Sequence, residues 1–380
     1  MARKGATTRR LLKVFILLFI VLAINNLIYY YHFVGGSSSK EETKGIAVLV
    51  VITAESKEEQ YKIAMDSVKC YSKIHDYHFI LVRDSDYIAC NHKDKFFRRH
   101  CIAAQILPKY DAVMFLDADI GVVNPKRKIE EFLTDGIDVV LYYRFYNWEI
   151  AAGSYIVKNT PYALEFLKEW ADYESKLPKS FHGTDNGAIH LLLAEKIFTS
   201  SDVELEMCRK VYNISKWYDD LFTYEACIKN MFGSGTDFGK IRIMKKGTGW
   251  TRDCWLTSCQ WHPETDFMLH GWKSGQLKET PVNKTRSVIF GCNGVPLFYY
   301  RPNQMSRIQW YNPFLGPMDL MRCNPENTTW SYNLNLLGSK FEITNSLRKY
   351  EEQIAMMQAK SYARIVNLLE PNKNTTEKPK

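Results

Sequence analysis

Five runs rich in apolar and β-branched residues alternate with segments of helical spacing, and this alternation constrains the fold more than any other feature. The runs are GIAVLVVIT (45–53), YHFILV (77–82), AVMFLDADIGVV (112–123), DVVLYY (138–143) and GSYIVKN (153–159). The first is apolar almost without interruption, as a strand buried on both faces must be. Helical spacing is predicted over 57–73, where Ile63, Val68 and Tyr71 recur among charges, then over 94–107 and 126–133. ALEFLKEW follows Pro161, which suits a first helical position. Such an order predicts an α/β domain with a mostly parallel central sheet, wound right-handedly, with helices on both faces. In sheets of this kind ligands bind beyond the carboxyl ends of the strands.

At 380 residues the chain can hold one large domain or two smaller ones, and 46% hydrophobic with 14% aromatic residues excludes a disordered protein. Its formal charge of +8 could suggest a nucleic-acid partner, but Arg3, Lys4, Arg9, Arg10 and Lys13 supply five of those charges with no acid among them. The rest of the chain is nearly balanced, so no nucleic-acid partner is expected.

Those cations precede VFILLFIVLAINNLIYYY (Val14–Tyr31), 18 uncharged residues. As a helix the run covers roughly 27 Å, enough for a thin bilayer. The run is longer than a cleaved signal peptide's apolar core and lacks a small-residue cleavage site. It predicts a single-pass type II anchor: cytoplasmic tail 1–13, transmembrane segment 14–34, and a short polar stem 35–44. Everything after it would be lumenal, in the Golgi rather than the ER. Sequons at Asn213, Asn283, Asn327 and Asn374 agree as glycosylation sites. The nine cysteines, all between Cys70 and Cys323, are expected to form disulfides, with at least one left over. Cys254, Cys259 and His262 imitate zinc ligands but lack a fourth donor and the usual spacing.

The sharpest local signal is Phe115-Leu116-Asp117-Ala118-Asp119. Side chains alternate along a strand, so Asp117 and Asp119 project to one side at a strand end. Two converging carboxylates suit Mn²⁺ or Mg²⁺. The competing reading is a turn with solvated aspartates.

KYDAVMFLDADIGVVNP resembles the signature of nucleotide-sugar-dependent glycosyltransferases with the GT-A (Rossmann-like) fold. Within these it is most similar to the galactosyl-, xylosyl- and mannosyltransferases of family 34, and also to a nematode-expanded set known only as a domain of unknown function. The resemblance continues in order through Ala152-Gly153-Ser154-Tyr155-Ile156-Val157-Lys158-Asn159, Pro161 with FLKEW, Thr184-Asp185-Asn186-Gly187-Ala188, and Leu269-His270-Gly271-Trp272-Lys273. It covers roughly 45–275.

The resemblance implies a metal held by Asp117, Asp119 and His270, and a UDP- or GDP-linked sugar as donor. Donor-binding roles fall to Thr53, Lys95, Arg99, Asp117, Gly153, Ser154 and Lys273, and catalytic roles to Asp185 and Asn186. The family has Gln where this chain has Asn186, which bears on donor or acceptor specificity. It also implies transfer of a hexose or pentose to a glycan or glycoconjugate hydroxyl with retention.

Each residue has a plainer alternative. His270 can be an ordinary hydrogen-bonded histidine, and Asp185 or Thr184 a helix N-cap. Lys95 and Arg99 sit in KDKFFRRH, which can be a solvated helix face. Trp148, Trp250, Trp255, Trp261 and Trp272 can stack on sugars or fill the core.

Residues 276–340 are expected to form an extension packed on the catalytic domain (45–275). The segment 341–370 has the spacing of an amphipathic helix, with Ile343, Leu347, Tyr350, Ile354 and Met357 on one side. That helix docks on the domain or, alternatively, forms a homodimer. Residues 371–380 are expected to be disordered. The alternatives to an enzyme are a catalytically inactive, membrane-anchored glycan-binding or scaffold relative, and a secreted disulfide-linked binding protein.

Overall fold

The first apolar run becomes β1 (Ile46–Ile52), and its side chains divide between two cores. Ala47 and Leu49 enter one, Val48, Val50 and Ile52 the other. This is the period-two division that a strand covered on both faces requires. A computed structural model describes residues 20–25, 44–198, 202–278 and 309–369 of the chain. It divides into two units, 1–44 and 45–380. Of the first, residues 20–25 are a short exposed piece of helix; the rest of the expected anchor, most of the stem, Asn283, Asn374 and the tail lie outside the described residues. Among the described residues no helix is long and apolar enough to cross a membrane.

The second unit continues with α1 (Lys62–His75), β2 (His78–Arg83), α2 (Lys95–Ile106), β3 (Ala112–Leu116), β4 (Ile120–Val122), β5 (Val139–Tyr142) and β6 (Ser154–Lys158). There follow α3 (Pro161–Asp172), α4 (Thr184–Ile197), α5 (Val203–Ile214), α6 (Tyr218–Phe232), β7 (Asp237–Phe238) and β8 (Ile241–Met244). The small strands β9 (Thr251–Asp253), β10 (Met268–His270), β11 (Leu277–Lys278) and β12 (Trp310–Tyr311) precede α7 (Lys340–Leu369). Local chemistry sets several ends. Asp94 caps α2 by accepting from the Phe96 amide, and Thr160 caps α3 ahead of Pro161.

Seven strands form the central sheet in the order β2-β1-β3-β6-β5-β8-β7. It is mixed, where the sequence predicted mostly parallel strands. β6 runs antiparallel to both neighbours, β3 and β5, and β7 is antiparallel to β8. The reason is visible in the chain between Tyr142 and Ser154. That segment contains no helix, and a parallel return needs a crossover of a dozen or more residues. The predicted helix over 126–133 is likewise reduced to a 3₁₀ turn at Ile129–Phe132.

Helices α2, α3, α4 and α6 bury their apolar sides on one face of the sheet. The other face is covered by α1, by a second sheet ordered β4-β10-β9, and by an aromatic cluster. Trp250, Trp255, Trp261 and Trp272 belong to that core, so of the five tryptophans only the half-buried Trp148 stands apart from full burial.

The extension is fastened to this face. Cys70 of α1 is bonded to Cys323, Trp310 stacks on Trp272, and Tyr332 Oη donates to the Val123 carbonyl. Cys90–Cys101 and Cys208–Cys227 are also disulfides, Cys259 is disulfide-bonded, and Cys254 is a free, buried thiol. α7 buries Ile343, Ile354 and Ile365 and ties Arg364 to Asp220 of α6 at 2.5 Å. The sequon residue Asn213 is exposed near the end of α5, and Asn327 is half-buried in the extension.

Candidate metal and nucleotide site

Strand register assembles the site. β3 ends at Leu116, opposite Ser154 of β6, and the Asp117 amide then donates to the Gly153 carbonyl at 2.7 Å. A Cβ on Gly153 would lie 2.2 Å from Asp117 Oδ2. Glycine at 153 therefore makes room for this carboxylate. After the Asp117–Asp119 turn, β4 pairs antiparallel with β10, and Ile120 lies opposite His270. Amides of Gly271 and Trp272 both donate to the Asp119 carbonyl, at 3.1 and 3.0 Å. The close fit leaves no room for a side chain at Gly121, whose Cβ would meet the Trp272 ring at 2.0 Å.

Asp117, Asp119 and His270 consequently come together, with one potential ligand atom from each within 4.8 Å of the others. His270 Nε2 is 3.3 Å from Asp119 Oδ1, and Lys273 Nζ is 3.5 Å from Asp119 Oδ2. Two carboxylates and an imidazole are a suitable donor set for Mn²⁺ or Mg²⁺. Asp117 and Asp119 line a cleft of about 180 Å³ at the carboxyl ends of β1 and β3, and His270 stands behind Asp119. Thr53, Lys95, Arg99 and Lys273 line it, together with Tyr61, Asp84 and Phe96, which the sequence did not single out.

Electrostatics separate the two acids. Burial and the charge of Asp119 push Asp117 upward against the pull of Arg99. Burial alone would also raise Asp119, but His270 and Lys273 overcome it and hold the carboxyl well below its usual range. Burial likewise opposes charge on His270, yet Asp119 and Asp253 raise it to about 10.

Asp185, to which the resemblance gives a catalytic role, is a buried residue braced by its neighbours. Its side chain is 0% exposed and lies beneath the cleft. Arg99 reaches it through Nε (3.0 Å) and Nη2 (2.5 Å), while His100 Nε2 approaches at 2.9 Å. Arg99 Nη1 in turn holds Asp117 Oδ1 at 2.5 Å. The geometry gives Asp185 the work of orienting Arg99, and through it Asp117. Nor is it the helix cap: Gly183 takes that position without a side-chain bond, and Thr184 follows with a left-handed φ of 56°. Asn186 is half-buried, its Oδ1 3.4 Å from the Ala152 amide. Ser154 is fully buried and accepts from the Trp250 indole at 2.7 Å, so it faces the core.

Two buried imidazoles support this region. His100 stacks on Trp170 at 3.7 Å and is pushed down to about 4 by burial. His190 of α4 faces the Asn186 carbonyl through Nδ1 (2.8 Å) and accepts the Ile150 amide at Nε2 (3.0 Å). Protonation of Nε2 would place two donors face to face. Burial accordingly lowers His190 to about 4 from its ordinary 6.5. The folded state thus binds this proton less readily than the unfolded chain. The stability it contributes is complete above about pH 6.5 and is lost as pH falls toward 4, on the order of 3 kcal/mol. The Tm of the full-length chain is expected to fall between pH 7 and 4.5, and to fall less in His190→Gln. An unchanged pH slope in that variant would count against a neutral imidazole here.

No curated protein matches the chain in sequence. Among solved structures, a glycosyltransferase involved in the glycosylation of the major capsid of PBCV-1 overlaps 60% of this chain and 93% of its own, with 17% identity and a TM-score of 0.37. The catalytic domain of Drosophila β1,4-galactosyltransferase 7, complexed with xylobiose, overlaps 54% of this chain and 66% of its own, with 9% identity and a TM-score of 0.25. A family model extends from residue 68 to 287, across all the metal-site residues, and by that match the chain belongs to the family described as "Protein of unknown function, DUF273".

Proposed function

We propose that this chain is a divalent-metal-dependent glycosyltransferase of GT-A architecture, moving a hexose or pentose from a UDP- or GDP-linked sugar to a glycan hydroxyl. The observation that carries this reading is the Asp117–Asp119–His270 cluster, whose two aspartates, with Lys273 beside them, line a cleft at the carboxyl ends of β1 and β3. Asp117, Asp119 and His270 would hold Mn²⁺ or Mg²⁺. When bound, such a cation supplies Lewis-acid stabilisation of the negative charge on a departing diphosphate.

The chain's own groups complete the chemistry. Lys273, whose proton Asp119 holds more firmly than usual, provides a fixed positive charge for a phosphate oxygen. Lys95 adds a second at the cleft mouth, and Thr53 lies where the nucleoside would rest. Asp185 and Arg99 keep Asp117 aimed at the cleft. The acceptor oxygen forms its bond to the anomeric carbon as the bond from that carbon to the phosphate oxygen breaks. With retention, inferred from the family-34 resemblance, the acceptor enters on the leaving group's side and its proton passes to the departing phosphate.

The same reading makes the protein a type II Golgi enzyme with a lumenal body. The cationic flank, the apolar run 14–31, the sequons and the disulfides support that placement.

The deciding experiment incubates the full-length chain, purified in mild detergent, with UDP-galactose, UDP-xylose, UDP-N-acetylglucosamine and GDP-mannose, each with and without Mn²⁺. One donor is expected to be turned over, with EDTA abolishing the activity. Nucleotide binding without turnover of any donor would favour an inactive glycan-binding relative instead. Failure to bind any nucleotide would remove the proposal.

A further inference from the structure

We propose that Asp253 is a positioning residue for the metal ligand His270, and that Arg144 and Glu149 hold Asp253 in turn. This inference deepens the metal-site reading above and rests on it.

Register is the first support. β9 runs parallel to β10, and Asp253 lies beside His270, which lies opposite Ile120 of β4. The three strands therefore place Asp253, His270 and the residue after Asp119 in one row across the small sheet. Distance is the second. His270 Nδ1 is 3.1 Å from Asp253 Oδ1, and His270 Nε2 is 3.3 Å from Asp119 Oδ1. An imidazole whose Nδ1–H points to Asp253 presents Nε2 toward Asp117 and Asp119, the side on which a cation would sit. A carboxylate on the outer nitrogen fixes both the tautomer and the ring's orientation and makes the inner nitrogen more basic.

Burial and charge are the third. Asp253 is only 3% exposed, and the oxygen that faces His270 also accepts from Arg144 Nη2. Arg144 is itself held by Glu149 Oε1 at 2.9 Å and lies over the Tyr146 ring at 4.5 Å. Glu149 is buried, and its amide donates to Asn147 Oδ1 at 3.1 Å. Glu149, Arg144, Asp253, His270 and Asp119 thus form a row from the 144–149 loop to the metal site, each acid separated from the next by a base. Breaking such a buried row exposes no water to compensate the group left over. A merely structural tie between β9 and this loop would need Arg144 and Asp253 alone. It gives no reason for the shared oxygen to face the metal ligand's outer nitrogen.

The test titrates Mn²⁺ into the full-length chain and reads free Mn²⁺ by electron paramagnetic resonance. Wild type is compared with Asp253→Asn, Asp253→Leu, Arg144→Met and Asp119→Ala, and Tm is recorded for each. Asp253→Asn keeps an acceptor without the charge and is expected to weaken Mn²⁺ about tenfold. Asp253→Leu is expected to weaken it about 100-fold and to diminish the nitrogen modulation of a coordinated imidazole in the pulsed spectrum. A structural role would lower Tm but leave Mn²⁺ affinity per folded molecule unchanged. If Asp253→Leu does not fold, the isosteric Asp253→Asn decides. Wild-type affinity in folded Asp253→Asn, alongside loss in Asp119→Ala, would overturn the relay and spare the metal reading. Wild-type affinity in Asp119→Ala would overturn the metal reading itself.

Discussion

Asp119→Ala is expected to abolish Mn²⁺-dependent nucleotide binding and to lower donor turnover by a factor on the order of 10³. The side chain sits between His270 at 3.3 Å and Lys273 at 3.5 Å, and it contributes one of the three potential ligand atoms. Removing it takes away a donor oxygen and the negative charge that aims both cations at the cleft. The backbone at 119 is untouched, however, and its carbonyl keeps the amides of Gly271 and Trp272, so the β4–β10 junction survives. Calorimetric titration of UDP and GDP with and without Mn²⁺, together with donor hydrolysis, measures the effect. Unchanged nucleotide affinity and unchanged hydrolysis in the folded variant would end the glycosyltransferase proposal.

Asp185→Asn should act differently. Its carboxylate is fully buried and takes two bonds from Arg99 and one from His100. Burial opposes its charge, but Arg99 and His100 outweigh that and lower its pKa. Neutralising it leaves the buried Arg99 guanidinium with Asp117 as its remaining carboxylate partner. Removing one member of a buried ion pair costs about 3 kcal/mol or more, which for a body of this size is a Tm lower by roughly 5 °C. Mn²⁺ affinity should fall as well, since Arg99 is what holds Asp117 Oδ1. A residue that touched the sugar directly would show the opposite pattern, losing turnover while keeping its Tm. Thermal melting of the variant therefore separates the buried brace from the catalytic role the sequence suggested.

What was legible in the sequence was what depends on local pattern. The apolar runs gave β1, β2, β3, β5 and β6, and the acid pair at the end of one run gave half of the site. His270 and Lys273 were found only through the resemblance, because nothing in spacing links residues about 150 positions apart. Their approach to Asp119 is decided by β4–β10 pairing, a long-range event. Asp253, Arg144 and Glu149 carried no signal at all. Each is one charged residue with no pattern around it; the β9–β10 register brings Asp253 beside His270, and ion pairs bring Arg144 and Glu149 to Asp253. The antiparallel β6 could have been read from the missing helix before it. Asp185 was singled out through the resemblance, and the sequence carried no sign of its burial. A carboxylate next to an apolar helical run, AIHLLLA, is as well placed for burial against an arginine as for contact with a ligand.

The bond between Cys70 and Cys323 joins positions 253 residues apart, and this sets a schedule for biogenesis. A nascent polypeptide emerges N-terminus first, so the thiol on α1 must wait unpaired while two-thirds of the chain is still being made. During that interval Cys90 and Cys101, only 11 residues apart, can already close. Closure of the Cys70–Cys323 bond is thereby tied to synthesis of at least the first 323 residues. A product that ended before residue 323 would lack the bond that clasps the extension to α1.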